Sequence, residues 1–146
     1  AGYAPENYDK TFNGPVTIEY ALENSLNIPA VKALNMLGKD KMIQQLGAMG
    51  FQQIVSKQKG LGLSMILGGC GTTLEQLTAM YSCFANEGMY YRNSFLQTDS
   101  MKKGKRMMSA EAAYMTTDIL SRINRPDFPL HWEATAHLPK IAWKTG

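Results

Sequence analysis

At 146 residues, with 45% hydrophobic and 18% charged side chains, the chain has the composition of one ordinary globular domain and enough length to bury a core. Its net charge is only +3, and the basic cluster Lys102, Lys103, Lys105 and Arg106 lacks interleaved aromatics; it reads as a solvated turn, so no nucleic-acid partner is expected. No apolar run approaches the roughly 18 residues that cross a bilayer, no signal peptide is visible, and the first residue is Ala, so upstream sequence with any anchor is expected to be missing.

The opening "AGYAPENYDKTFNGP" mixes Pro, Gly, Asn and Asp without periodicity and predicts an extended surface stretch. Pro15 can open a helix, because a first-turn proline loses no needed N–H. "VTIEYALENS" then places Ile18, Ala21 and Leu22 on one face, with Val16 and Tyr20 nearby. Pro29 pushes its predecessor out of the α region, so a second helix is expected to restart there and run to Gly38 as its cap. Ser25, Leu26 and Asn27 fall in the tight break between the two. "KDKMIQQLGAMG" predicts a third helix with Ile43 and Leu46 inside and Gly50 at its end.

Residues 51–71 read as a long connection punctuated by Gly60, Gly62, Gly68, Gly69 and Gly71. A helix over 73–87 follows, with Thr72 and Glu75 fitting a capping box and Leu74, Leu77, Tyr81 and Phe84 as its expected buried stripe. "MYYRNSFLQ" and "KRMM" flank the polar turn 99–104 and predict a β-hairpin. Ser109 caps a last helix expected to reach Arg125, with Ala112, Met115, Ile119 and Ile123 at helical spacing and Pro126 as its stop. "KIAW" reads as a short strand leading into Lys144. The fold class is therefore mainly α with a small β component, and the whole chain, 1–146, reads as a single unit.

Cys70 and Cys83 form no CxxC pair; Cys83 in a helical pattern reads as a buried thiol, and no disulfide is expected. His131 and His137 lie six apart around Glu133, without the helix spacing of a zinc site, so no metal is expected.

Two short motifs carry candidate chemistry: Ser25-Leu26-Asn27 at the helix break and Lys144-Thr145-Gly146 at a strand end. From the residues alone, the first can equally be a local helix cap and the second a charged strand terminus. Together, in this order, they match two of the three motifs (S-x-x-K, S-x-N, K-T-G) of serine enzymes that react with penicillin. "YAPENYDKTFNGPVTIEYALENSLNIPAVKAL", "LGGCGTTLEQLTAMYSCFANEG", "SAEAAYMTTDIL" and "WKTG" resemble the transpeptidase domain of bifunctional (class A) penicillin-binding proteins, most of all their 1C type. The resemblance covers nearly the whole chain. It implies the helical part of the β-lactamase/transpeptidase-like fold plus a remnant of its sheet, in a partial domain truncated at both ends.

The same resemblance implies a peptidoglycan D,D-transpeptidase that works through a serine ester and is acylated by β-lactams, with stem peptides and β-lactam antibiotics as partners and no cofactor. It places the protein in the bacterial periplasm or on the outer face of the inner membrane, reached only through a missing upstream anchor. Carried over by position, Ser25 relays a proton toward the leaving amine and Lys144 keeps the site positive. Asn27 holds the donor peptide's amide, Thr145 binds the terminal carboxylate, and Gly146 lets the backbone approach substrate. The departure is the missing nucleophile: no serine precedes Ser25. Ser56…Lys59 and Ser100…Lys103 spell S-x-x-K but lie downstream in a loop and a turn, and read as coincidences. A class A β-lactamase-like hydrolase and a non-catalytic helical sensor or partner-binding module are the alternatives.

Overall fold

The computed structural model describes residues 4–96, 103–122 and 141–144. Of the described residues, 54% are helical and one two-stranded sheet is present, so the mainly-α expectation holds. In chain order the elements are α1 (Ile18–Glu23), α2 (Asn27–Leu37), α3 (Lys39–Ala48) and α4 (Gln52–Ser56), then two 3₁₀ turns (Gln58–Gly60 and Leu63–Leu67), α5 (Leu74–Ala85), strands β1 (Met89–Tyr90) and β2 (Lys105–Arg106), and α6 (Ala110–Leu120).

The core is built by α2 to α5. Leu34, Ile43, Met49, Phe51, Ile54, Met65 and Cys83 form one buried cluster. Helix α2 lies against the 3₁₀ turn Leu63–Leu67, and α3 against α4. Phe51, Ile54 and Met65 come from the stretch 51–71, which the sequence presented as a glycine-rich connection. Its glycines punctuate short helical turns instead of a loop, and its apolar residues face inward. Gly38, at φ +91°, makes the turn between α2 and α3 that a β-carbon would strain. Gly88, at φ +83°, lies so close to the Met108 carbonyl that an added Cβ would overlap it. Its own carbonyl accepts the Met107 N–H at 2.9 Å, which joins the end of α5 to the hairpin.

Several sequence expectations shift by a residue or a face. The cap of α5 is Thr73, not Thr72: its hydroxyl accepts the Gln76 N–H at 3.2 Å, and the Gln76 side chain returns to the Thr73 N–H. Gln76 also donates to the Gly50 carbonyl at 2.9 Å, tying that cap to the end of α3. The buried face of α5 carries Ala79 and Cys83, whereas Leu74 is 81% exposed and Leu77 and Tyr81 are also exposed. Small residues allow close approach of α5 and α6, and the bulky stripe points outward. Likewise α6 buries Ala113 and Leu120 and exposes Met115, and in α1 Ala21 is buried but Ile18 is exposed.

Helix α1 is not opened by Pro15: it is capped by Thr17, whose hydroxyl accepts the Tyr20 N–H at 3.1 Å, and α2 starts at Asn27, two residues before Pro29. A proline in the first helical turn costs little, because the first N–H groups have no intrahelical partner. Helix α6 ends at Leu120, not at Arg125: Ser121 and Arg122 close a turn in which the Ser121 hydroxyl donates to the Asp118 carbonyl at 2.7 Å. Ile123 and Pro126 lie outside the described residues, as do His131, Glu133 and His137. The hairpin exists but is short, pairing Met89 with Arg106 and Tyr90 with Lys105. Residues 141–144 form no strand, contrary to the reading of "KIAW".

Candidate active site

The S-x-N motif sits where α1 hands over to α2. Asn24 caps α1, and Ser25 then takes a positive φ of +53°, a conformation that costs a non-glycine residue roughly 1–2 kcal/mol. Its N–H donates to the Leu22 carbonyl at 3.2 Å and the Leu26 N–H donates to Ala21 at 2.9 Å, which closes the turn. The turn leaves Ser25 exposed, with its hydroxyl engaged in no hydrogen bond among the described residues. Asn27, half-buried, is the first residue of α2, and its Nδ2 donates to the Glu6 carbonyl at 2.9 Å.

The segment that leads into the second motif bonds to the end of α6, a helix that also packs on α1. Helices α1 and α6 pack together. The Arg122 guanidinium, just past α6, binds Glu19 at 2.5 Å and Asp118 at 2.8 Å, with Glu23 at 3.5 Å. The hydrogen bond from Glu19 foremost, with the carboxylates around it, pushes the Arg122 pKa upward. The terminal segment docks on that same helix end: the Trp143 N–H donates to the Leu120 carbonyl at 3.3 Å, satisfying one of the carbonyls that every helix C-terminus leaves open. Trp143 and Lys144 are half-buried, while Ile141 is 73% exposed. The segments that carry Ser25 and Lys144 thus both contact α6, α1 through its packing and the Arg122 ion pairs and residues 141–144 through Trp143. Thr145 and Gly146 lie outside the described residues.

Two open grooves, of about 360 and 570 Å³, lie elsewhere, on α3–α4 and beside Lys57, Cys70 and Thr73. Neither is lined by Ser25, Asn27 or Lys144. Among the described residues Ser25 lies exposed on the surface, away from both grooves. Of the two downstream S-x-x-K strings, Ser56 ends α4 with its hydroxyl donating to the Gln53 carbonyl at 3.0 Å, a local bond. Ser100 lies outside the described residues. No cluster of metal-ligating side chains occurs among the described residues.

One residue at this site escaped the sequence reading. Asn7, from the extended arm, is 5% exposed and is the one buried polar side chain among the described residues. Its Oδ1 accepts the Ile28 N–H at 3.1 Å and its Nδ2 donates to the Thr11 carbonyl at 2.9 Å. A lone Asn in an aperiodic stretch carries no pattern. The available signal was indirect: Leu26, at the start of α2, offers no side-chain acceptor, so the helix has to find its cap elsewhere.

The comparisons with known proteins show the family of the chain. The family model for the penicillin binding protein transpeptidase domain matches residues 2–146, and the chain belongs to that family. It is 34% identical over 144 residues to penicillin-binding protein 1C of Escherichia coli, covering 99% of this chain and 18% of that protein. It is 30% identical over 133 residues to penicillin-binding protein 1A of Streptococcus oralis, covering 80% of this chain and 20% of that protein. Penicillin-binding protein 1A/1B of Bacillus subtilis is 30% identical over 126 residues, covering 78% of this chain and 14% of that protein. The chain therefore spans about a fifth or less of the length of these relatives.

Proposed function

We propose that residues 1–146 are the part of a peptidoglycan D,D-transpeptidase domain that carries its second and third motifs, and that the full-length protein cross-links stem peptides at the bacterial cell surface, in the periplasm or on the outer face of the inner membrane. The observation that supports this most strongly is that α1, two residues before Ser25, and the segment carrying Lys144 both contact α6: Arg122 pairs with Glu19, and the Trp143 N–H donates to the Leu120 carbonyl. The relatives are penicillin-binding proteins, which supports β-lactams as ligands.

The reaction is acyl transfer through a serine ester. A serine supplied by sequence outside this stretch attacks the carbonyl before the terminal D-alanine, that residue leaves as the free amine, and a second stem peptide's amine takes the acyl group. Ser25 passes a proton to the leaving amine. Lys144 holds positive charge beside that path and eases the transfer. Thr145 binds the terminal carboxylate through its hydroxyl, and Gly146 admits the substrate backbone. Asn27 holds the donor amide, as a carboxylate could not with the same donor pattern. The chemistry requires neither metal nor cofactor.

The test has two arms. Incubated with excess penicillin, residues 1–146 alone should show no stoichiometric adduct by intact mass, because the nucleophile is not among them; an adduct on any serine would overturn this assignment. In the full-length protein, Lys144→Ala should slow acylation by roughly 10²-fold, the scale of a positioned proton-transfer group. An unchanged rate contradicts the role of Lys144.

A further inference from the structure

Helix α1 has little of its own to hold it. It has six residues, fewer than the roughly 12–15 that make a helix in water unaided, and its one buried residue is Ala21. Its charges oppose it as well. Glu19 and Glu23 stand four apart on one face, where like charges repel. Glu23 closes the helix at the negative end of its dipole, and no basic residue lies in that last turn. Local rules broken in this way are compensated from elsewhere in the fold.

The compensating group is Arg122. Its Nη1 donates to Glu19 at 2.5 Å and lies 3.5 Å from Glu23, so one nitrogen serves both carboxylates of α1. The rest of the guanidinium faces its own helix. Nη2 donates to the Asp118 carboxylate at 2.8 Å, and Nε donates to the Asp118 carbonyl at 3.4 Å. Asp118 stands four residues before Arg122, the favourable order for such a pair on a helix, and a cation suits a helix C-terminus. The side chain is thus pre-set by α6. A planar fork with donors in fixed directions can serve two elements at once, whereas a lysine ammonium is a single point.

The place of this bridge gives it a consequence. Glu23 lies two residues before Ser25. Leu120, two residues before Arg122, accepts the N–H of Trp143, the residue before Lys144. Exposed ion pairs add little to stability, but these set the direction in which α1 meets α6. We propose that Arg122 is a positioning residue for the acyl transfer: it fixes α1, and through it the Ser25 turn, on the helix end that also receives the segment carrying Lys144. This rests on the reading of Ser25 and Lys144 given above.

The experiment is a double-mutant cycle on the full-length protein. The readout is the second-order rate constant for acylation by a penicillin, corrected for active fraction by burst titration. Arg122→Ala should slow acylation about tenfold, within the 10²-fold that ångström-scale misplacement can cost, and leave the melting temperature almost unchanged. In the Lys144→Ala background the same substitution should cost less than twofold, because the group whose alignment it protects is gone. Arg122→Lys keeps the charge without the fork and should recover only part of the rate. An Arg122→Ala rate equal to that of the parent overturns the proposal. So does an equal factor in both backgrounds, the mark of a role independent of the site. If Arg122→Ala does not fold, Glu19→Gln, which weakens only the α1 side of the bridge, must show the same dependence on Lys144; an additive effect there also overturns it. Lys144→Ala alone separates the two levels of inference. If it leaves the rate unchanged, the assignment of Lys144 fails and the proposal with it; if it slows acylation and the two substitutions are additive, the site stands and the positioning role fails.

Discussion

The two ends of the helical body are held by different forces. Around Leu34, Phe51 and Cys83, all at most 2% exposed, α2 to α5 are held by apolar packing with no charged group in the cluster. At the α1–α2 junction the buried apolar content falls to Ala21, and the chain is positioned by directional contacts: the Asn7–Ile28 and Asn27–Glu6 bonds, the Thr17 cap and the Arg122 ion pairs. Packing tolerates small displacements and fixes the fold. Hydrogen bonds fix the direction in which a particular atom points, which is what a site needs.

The difference can be broken from the core side first. Phe51→Ala removes the largest side chain of the packed cluster and should cost about 3–5 kcal/mol of unfolding free energy in urea titration. A cost below about 1 kcal/mol would mean that the cluster does not carry the fold. Gly88→Ala should come next. A Cβ there has to displace the Met108 backbone at a positive φ, so the loss should exceed about 1–2 kcal/mol. Thr73→Ala removes the α5 cap and should cost about 1 kcal/mol.

Ser25 sharpens the comparison from the other side. Because its φ is +53°, Ser25→Gly should be more stable than Ser25→Ala by about 1 kcal/mol, while both variants lose the hydroxyl proposed to relay the proton. Equal stability of the two would show that the turn is unstrained. A site residue held in a costly conformation is what the account expects where function and stability compete.

The pH dependence separates the two ends as well. Burial pushes the Cys83 thiol above its ordinary 9.0, and burial, then the neighbouring Cys83, raises the Tyr90 phenol above 10.0. Tyr90 donates its hydroxyl to the Met49 carbonyl at 2.8 Å. For an acid whose pKa is higher in the folded state, the stabilising contribution is complete below the unfolded value and is lost as pH rises through the folded one. Stability should therefore fall as pH climbs above about 9, and Cys83→Ala should blunt the onset of that fall. Thermal melts at several alkaline pH values check it; a flat profile contradicts the buried assignment. Arg122→Ala should have the smallest effect of all on melting, since its ion pairs are solvent-exposed.

How much of this was legible in the sequence follows the same division. Helix positions were readable where Gly38, Gly50 and Ser109 punctuate them, though Pro15 lies two residues before the Thr17 cap and does not open α1, and the family was readable from the residue types and order of the two motifs. The buried faces of α5 and α6 were not. Both pack through small residues, Ala79, Cys83 and Ala113, while Leu74 and Met115 face outward, so a hydrophobic stripe chosen by size selects the wrong side. The region 51–71 misled because glycine frequency concealed Phe51, Ile54 and Met65 in short turns. "KIAW" has strand composition, but the described residues 141–144 follow no ladder, and the Trp143 N–H bonds to the Leu120 carbonyl at a helix end. Asn7 was invisible for a physical reason: a cap delivered from twenty-one residues away leaves no periodic trace.

The central claim is that the Ser25–Asn27 turn receives the acyl donor beside Lys144. A crystal structure of the full-length protein acylated by an amide-bearing penicillin tests it most directly. The account predicts the penicillin amide within about 3.2 Å of the Asn27 side chain, with Lys144 on the same side of the bound ligand. A penicillin seated away from the Ser25–Asn27 turn would contradict it.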